Sequence, residues 1–229
     1  MAAEKSLKKR LSSIFKTAAF FVTLAVIGYG DNTAKPVALP SAPLTDGEIA
    51  LVQSIFGNEV NTAIVKKHFN PVARYEVSNN DTIDAAAAVN DQKNVTFYGA
   101  EYHSADYSRE ELINYGTFIH EMTHIWQRQK IGGFNLLLMS CHTYDYSLDA
   151  QSRFSDFCIE QQGIVIQVYA QRFLHPSHVS LRINNTPEND LLLQKVVEEQ
   201  FPQARITRLA LEAQEQLKTA AAKTKSLKI

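Results

Sequence analysis

The sequence predicts an α+β protein: a small mixed sheet, then a long buried helix, then further helices toward the C-terminus. Three observations predict it. Short runs rich in Val, Phe and Tyr, separated by Asn/Asp turn residues, crowd residues 65–98. The stretch after Tyr98 takes up the 3.6-residue apolar period of a helix. Further helix-start and helix-stop signals follow it. Strands gathered in one stretch and helices in the next make the α+β pattern.

Length and composition bound the rest. The 229 residues suit one domain with extensions at its ends. Apolar residues at 45% and charged residues at 21% exclude wholesale disorder. With Lys+Arg at 23 and Asp+Glu at 24, bulk charge does not hold the chain to nucleic acid. Two cysteines are too few for a disulfide scaffold, and no Cys-x-x-Cys zinc pattern occurs.

Residues 1–30 read as a signal-like or anchor segment. Lys5, Lys8, Lys9 and Arg10 form a basic head, and an uncharged run of 14 residues lies between Lys16 and Asp31. That run is short of the ~20 residues a spanning helix needs. A core-packing helix and a helix that binds a carrier are the competing readings. Residues 31–44, with Pro36, Pro40 and Pro43, read as a linker. Residues 45–178 are expected to form the core domain and 179–229 a helical extension.

Thr45-Asp-Gly-Glu48 is a capping box that opens a helix carrying Ile49, Val52, Ile55 and Phe56, and Gly57 stops it. Strands are expected at 65–69, 72–77, 85–89 and 95–98, with turns at Asn79-Asn80-Asp81 and Asn90-Asp91. The alanines at 85–88 weaken the third, because alanine prefers helix. Ser108-Arg-Glu-Glu111 is a second capping box and Gly132-Gly133 a stop, so one helix of about 22 residues is expected between them. Another helix is expected over 152–173. Thr186-Pro187 opens the next, and a polar, Ala-rich helix spans 204–223.

The long helix carries His120-Glu121-Met122-Thr123-His124, a His-Glu-x-x-His motif. Residues four apart share a helix face, so both imidazoles can bind one metal ion, and Glu121 projects beside them as a proton acceptor for water. Ile113, Phe118, Ile119, Met122, Ile125 and Trp126 make the helix apolar on more than one side, hence buried. Buried imidazoles and a carboxylate are costly without a partner.

A zinc site needs a third protein ligand. Positions 127 and 130 are Gln and Lys, so a third histidine on the same helix is absent. The ligand must come from the next helix, whose acidic candidates are Asp149, Asp156 and Glu160; Glu160, expected mid-helix, is preferred to Asp156 and to a histidine such as His142 in the loop before it. Phe157 and Ile164 share the Glu160 face, which therefore points inward, and Gly163 removes a side chain where two helices meet.

These residues resemble a known group. His120-Glu121-x-x-His124 with Trp126-Gln127, then Tyr144-Asp-Tyr146-Ser-Leu148 and Phe157-x-x-Glu160-Gln-Gln, resemble the small bacterial zincin metallopeptidases. They are most similar to gluzincin-type domains found beside Rhs and Vgr secretion-system proteins. Pro43-Leu-Thr-Asp-Gly-Glu48 and Ser54-Ile-Phe-Gly57 resemble the opening of those domains. The resemblance implies a zincin-like fold, Zn2+, and peptide-bond hydrolysis by a water nucleophile. His120, His124 and Glu160 would be the metal ligands and Glu121 the base. Position 164 is Ile, so the thermolysin-like Glu-x-x-x-Asp is missing, and the partners of the histidines' outer nitrogens are unassigned.

Tyr144, Tyr146 and His142 are candidates to stabilise an oxyanion, although Tyr is more often a packing residue. The strand at 95–98 is a candidate edge for pairing with an extended peptide. Cys141 and Cys158 can pair if the chain is exported. The other histidines, His68, His103, His175 and His178, read as ordinary.

A zinc metallopeptidase with a peptide or protein substrate is the leading expectation. A non-proteolytic zinc-binding adaptor or effector module is the second, and a zinc amidase acting on cell-wall material the third. No nucleic acid is implied. A membrane anchor or secretion machinery is the expected N-terminal partner. The expected location is exported (periplasmic, secreted or membrane-anchored), with cytoplasm before injection as the alternative.

Overall fold

The computed structural model describes residues 40–72, 74–78, 81–89, 91–131, 145–175 and 186–226. The signal-like segment, the Gly132-Gly133 stop, Cys141, His142, Tyr144 and His178 lie outside them. Among the described residues no helix is long and apolar enough to cross a membrane.

The fold is α+β, as the sequence predicts. β1 (Ser41–Pro43), β2 (Lys66–Asn70), β5 (Ala87–Val89) and β6 (Asn94–Tyr98) form a mixed sheet in the order β1-β2-β6-β5. β2 and β6 run parallel, and both outer pairs are antiparallel. β3 (Arg74–Ser78) and β4 (Asp81–Ala85) form a separate antiparallel pair.

Three strand expectations change. Ser41–Pro43, inside the segment read as a linker, pairs with Lys66–His68 as β1. The expected 85–89 strand divides, and β4 is a strand whose acids hide its period. Ala87 and Ala88 adopt strand despite alanine's helix propensity because tertiary burial overrides it: both are buried where the sheet meets the long helix. Most consequentially, β6 is interior, paired on one side with β2 and on the other with β5, so 95–98 is not an edge. Among the described residues the edges of this sheet are β1 and β5.

α1 (Asp46–Phe56) starts on the expected cap. Thr45 Oγ1 accepts the Glu48 N–H at 3.1 Å, and Glu48 Oε2 accepts the Thr45 N–H at 2.8 Å. Gly57 ends it at φ 58°, a left-handed conformation that suits glycine. Glu48 is itself fully buried. Its Oε1 accepts from Lys67 Nζ at 2.6 Å and from the Tyr107 N–H at 2.9 Å. One carboxylate thus ties α1 to β2 and to the turn that leads into the next helix.

α2 (Leu112–Ile131) is the long helix, 20 residues. The Ser108–Glu111 capping box does not form. Ser108 lies in a 3₁₀ turn (Tyr107–Arg109), and Asp106 Oδ1 accepts both its N–H at 3.1 Å and its hydroxyl at 2.6 Å. α3 (Ile159–Phe173) also starts later than expected, behind a 3₁₀ turn at Phe154–Asp156. Gln161 Oε1 accepts the Cys158 N–H at 3.1 Å, and Cys158 is disulfide-bonded. α4 (Pro187–Gln200) has Thr186 as its cap and Pro187 at its first position, as expected. α5 (Pro202–Ser226) is the last described element.

α2 packs on β5 and β6 on one side and on α3 on the other. Phe201, between α4 and α5, meets Phe56, Trp126 and Phe154 with ring centroids 5.0–5.3 Å apart. Leu193, Val197 and Ala204 join the same apolar core. From Leu209 on, the described part of α5 is exposed.

Candidate metal centre

His120, Glu121 and His124 sit mid-way along α2, where every residue from Tyr115 to Gln127 is buried. Phe118, Ile119, Met122 and Ile125 have no exposure, and Trp126 is nearly closed off. Ile113 departs from the expected apolar set, being 61% exposed near the helix start.

The i, i+4 spacing brings the two imidazoles together, with ring centroids 4.7 Å apart and planes at 74°. Both Nε2 atoms point toward α3. Glu160 stands in the first turn of that helix, not mid-helix, and Phe157 precedes the helix rather than sharing its face. Even so, the carboxylate points inward. His120 Nε2 and His124 Nε2 are 3.0 Å apart, and Glu160 Oε2 lies 3.4 Å from the first and 3.3 Å from the second. A tetrahedral zinc with bonds of 2.0–2.1 Å has ligand atoms about 3.3–3.4 Å apart. The three atoms therefore approximate one face of such a tetrahedron, and two nitrogens with one carboxylate oxygen form a donor set zinc accepts.

Gly163 makes this approach possible. A Cβ there would lie 2.6 Å from His120 Cε1 and 2.7 Å from Nε2. Asp156, the rejected alternative, is exposed and bonded to the Arg153 N–H at 2.9 Å, and Asp149 is exposed and caps its own turn.

The electrostatics are those of a closed site. Burial pulls His120 down to about 4, against the Glu160 carboxylate. At His124 burial acts in the same sense, but Glu160 outweighs it and lifts the ring to about 9. Burial would raise Glu160, yet the two imidazoles hold it down at about 2. Burial pushes Glu121 up to about 8, with His124 and Arg128 opposing. Both Glu121 oxygens are buried, and neither has a hydrogen-bond partner among the described residues.

The polar groups around the histidines were not anticipated. Gln127 Oε1 lies 2.7 Å from His124 Nδ1, and Gln167 reaches His120. The sequence did hold a signal. Gln127 follows His124 by three residues and Gln167 follows Glu160 by seven, so each falls on the ligand face of its helix.

Tyr146 packs edge-on against Phe157 at 6.0 Å, half-buried, and burial pushes its hydroxyl up to about 12. His68 bonds Asn94 Oδ1 at 2.8 Å, His103 packs at a tilt against the Phe69 ring, and His175 bonds the Glu110 carbonyl.

No known family profile matches the chain. Over 156 residues, 63% of the chain, it is 30% identical to the type VI secretion system spike protein VgrG2b of Pseudomonas aeruginosa. The chain spans 14% of that protein's length. The effector domain of Pseudomonas aeruginosa VgrG2b, as a solved structure, covers 75% of this chain at 25% identity and a TM-score of 0.44, with 88% of that domain covered. The sequence match relates the chain to Vgr secretion-system proteins.

Proposed function

We propose that this chain is a zinc-dependent metallopeptidase of the gluzincin type, serving as an effector module of a secretion system. The observation that carries it is the convergence of His120 Nε2, His124 Nε2 and Glu160 Oε2 within 3.4 Å of one another, beside a buried carboxylate with no hydrogen-bond partner among the described residues. The relation to a type VI spike protein supports the effector part, with secretion machinery as partner and an exported or injected location.

His120, His124 and Glu160 would hold the ion. Bound there, zinc supplies Lewis acidity toward a carbonyl oxygen and toward water. Glu121 follows His120 by one residue, about 100° round the helix, so it lies beside the ligand face without being one of the three converging atoms. Burial favours the protonated form of Glu121 while the positive charge beside it favours the carboxylate, so the group is suited both to accept and to release a proton. Glu121 takes the proton of the attacking water and delivers it to the leaving amine. Arg128 keeps Glu121 from being wholly without positive charge, while its guanidinium bonds the Val89 carbonyl at 3.1 Å. The edge nearest α2 is β5, and an extended peptide substrate would pair there.

The test is zinc analysis and turnover on a broad peptide library for wild type beside Glu121→Gln. One zinc per chain is expected in both, with turnover in the variant lower by roughly two orders of magnitude. A wild type that binds no zinc, or equal turnover in the two, overturns the proposal.

A further inference from the structure

We infer that Gln127 is a positioning residue: it holds the proton of His124 on Nδ1 and so leaves Nε2 as the atom presented to the metal. The inference rests on the metal reading above but stands on its own hydrogen bonds. Gln127 is fully buried, and its two amide ends are chemically distinct, since oxygen accepts and nitrogen donates. Their orientation follows from fixed backbone acceptors. Gln162 Nε2 donates to the carbonyls of Phe157 at 2.9 Å and Phe154 at 3.3 Å, so Gln162 Oε1 must face the other way. There it accepts from Gln127 Nε2 at 2.9 Å, and the same nitrogen donates to the Ile159 carbonyl at 3.0 Å. With Nε2 of Gln127 committed to two acceptors, Oε1 is the end at His124 Nδ1, 2.7 Å away. Oxygen only accepts, so Nδ1 must carry the hydrogen. In a neutral ring Nε2 is then the unprotonated nitrogen, and it faces His120 and Glu160.

The same relay sets geometry between helices. The Ile159 carbonyl belongs to the first turn of α3, one residue before Glu160. Gln127 therefore ties the position of the carboxylate ligand to the orientation of the second imidazole. No charged partner is needed, and this differs from a carboxylate–histidine pair only in the strength of the acceptor.

Two variants separate positioning from packing. Gln127→Met keeps the length and burial but removes the acceptor. Gln127→Glu keeps the acceptor and loses the donors. Two measurements apply to each: long-range 1H–15N spectra of the metal-free protein at an alkaline pH where the His124 ring is neutral, which read which nitrogen holds the single proton, and zinc affinity by chelator competition. In wild type and Q127E, His124 Nδ1 should hold a hydrogen-bonded proton, and in Q127M that signal should be lost. The zinc Kd should rise roughly 10–100-fold in Q127M and return to within about threefold of wild type in Q127E. A wild-type Nδ1 without a bonded proton overturns the inference, as does unchanged zinc affinity in Q127M. So does a folded Q127E that binds zinc no better than Q127M. If Q127M does not fold, the wild-type and Q127E spectra with the Q127E affinity decide. If wild type binds no zinc while Nδ1–H is intact, the metallopeptidase reading fails and the proton assignment stands.

Discussion

Gly163 on α3 lies directly against the imidazole of His120 on α2: a methyl group at position 163 would overlap three atoms of the ring. The contact sets how near Glu160, one turn earlier on α3, comes to both histidines.

Gly163→Ala should therefore be harmful, although Gly→Ala inside a helix ordinarily stabilises by about 0.5–1 kcal/mol. Here the ring must move, at a cost of roughly 1–3 kcal/mol. Thermal unfolding of the metal-free variant and its zinc affinity should both fall below wild type. A variant as stable and as zinc-avid as wild type would show that the helices have room to spare.

Glu160→Ala should lose most of the bound zinc, whereas Asp156→Ala should keep it. Glu160 is buried among the two imidazoles, and Asp156 is exposed and engaged with Arg153. Zinc content of the two purified variants decides the ligand assignment, and equal contents would reject it.

Glu48→Ala should destabilise by roughly 3–5 kcal/mol, since it strands Lys67 in the interior. Lys67 has one further acceptor, the Ala105 carbonyl at 3.0 Å. Replacing both Glu48 and Lys67 by Met should be milder than Glu48→Ala alone, because no unpaired charge remains. Urea denaturation of the three proteins checks the order.

Asp91 carries a pH-dependent contribution. Burial would raise its pKa, but the N–H groups of Lys93 and Asn94 and the Asn94 side-chain amide hold it below the ordinary 3.8. A lowered folded value means the native state binds the proton less readily than the unfolded chain. The stabilisation is thus complete above about pH 4 and is lost as pH falls through the folded value. Asp91→Ala should cost about 1–2 kcal/mol at pH 7, and the gap to wild type should narrow in acid. A gap that widens as pH falls would contradict this sign.

Phe201→Ala should cost roughly 3–5 kcal/mol, because the ring is fully buried among Phe56, Trp126 and Phe154. Chemical denaturation checks it. A loss under 1 kcal/mol would mean that α4 and α5 are appended to the core rather than part of it.

The sequence by itself determined what depends on a single helical turn. The Thr45 cap, the pairing of His120 with His124 and the offset of Glu121 each follow from spacings of one, three or four residues. Glu160 and Gly163 were legible too, although Glu160 stands at the start of its helix instead of in the middle. The Ser108 cap shows where local reasoning stops: Asp106, two residues before it, takes the same hydroxyl into a different turn.

Only the tertiary structure decided the strand order, which makes β5 and not β6 the edge, and the strand conformation of the buried alanines. It also decided the hydrogen bond from His124 to Gln127, whose direction is set by carbonyls about thirty residues further along the chain. The physical reason is common to all three. Strand neighbours and buried polar partners are chosen by which distant groups can satisfy each other's hydrogen bonds once packed, and no periodicity within one segment encodes that choice.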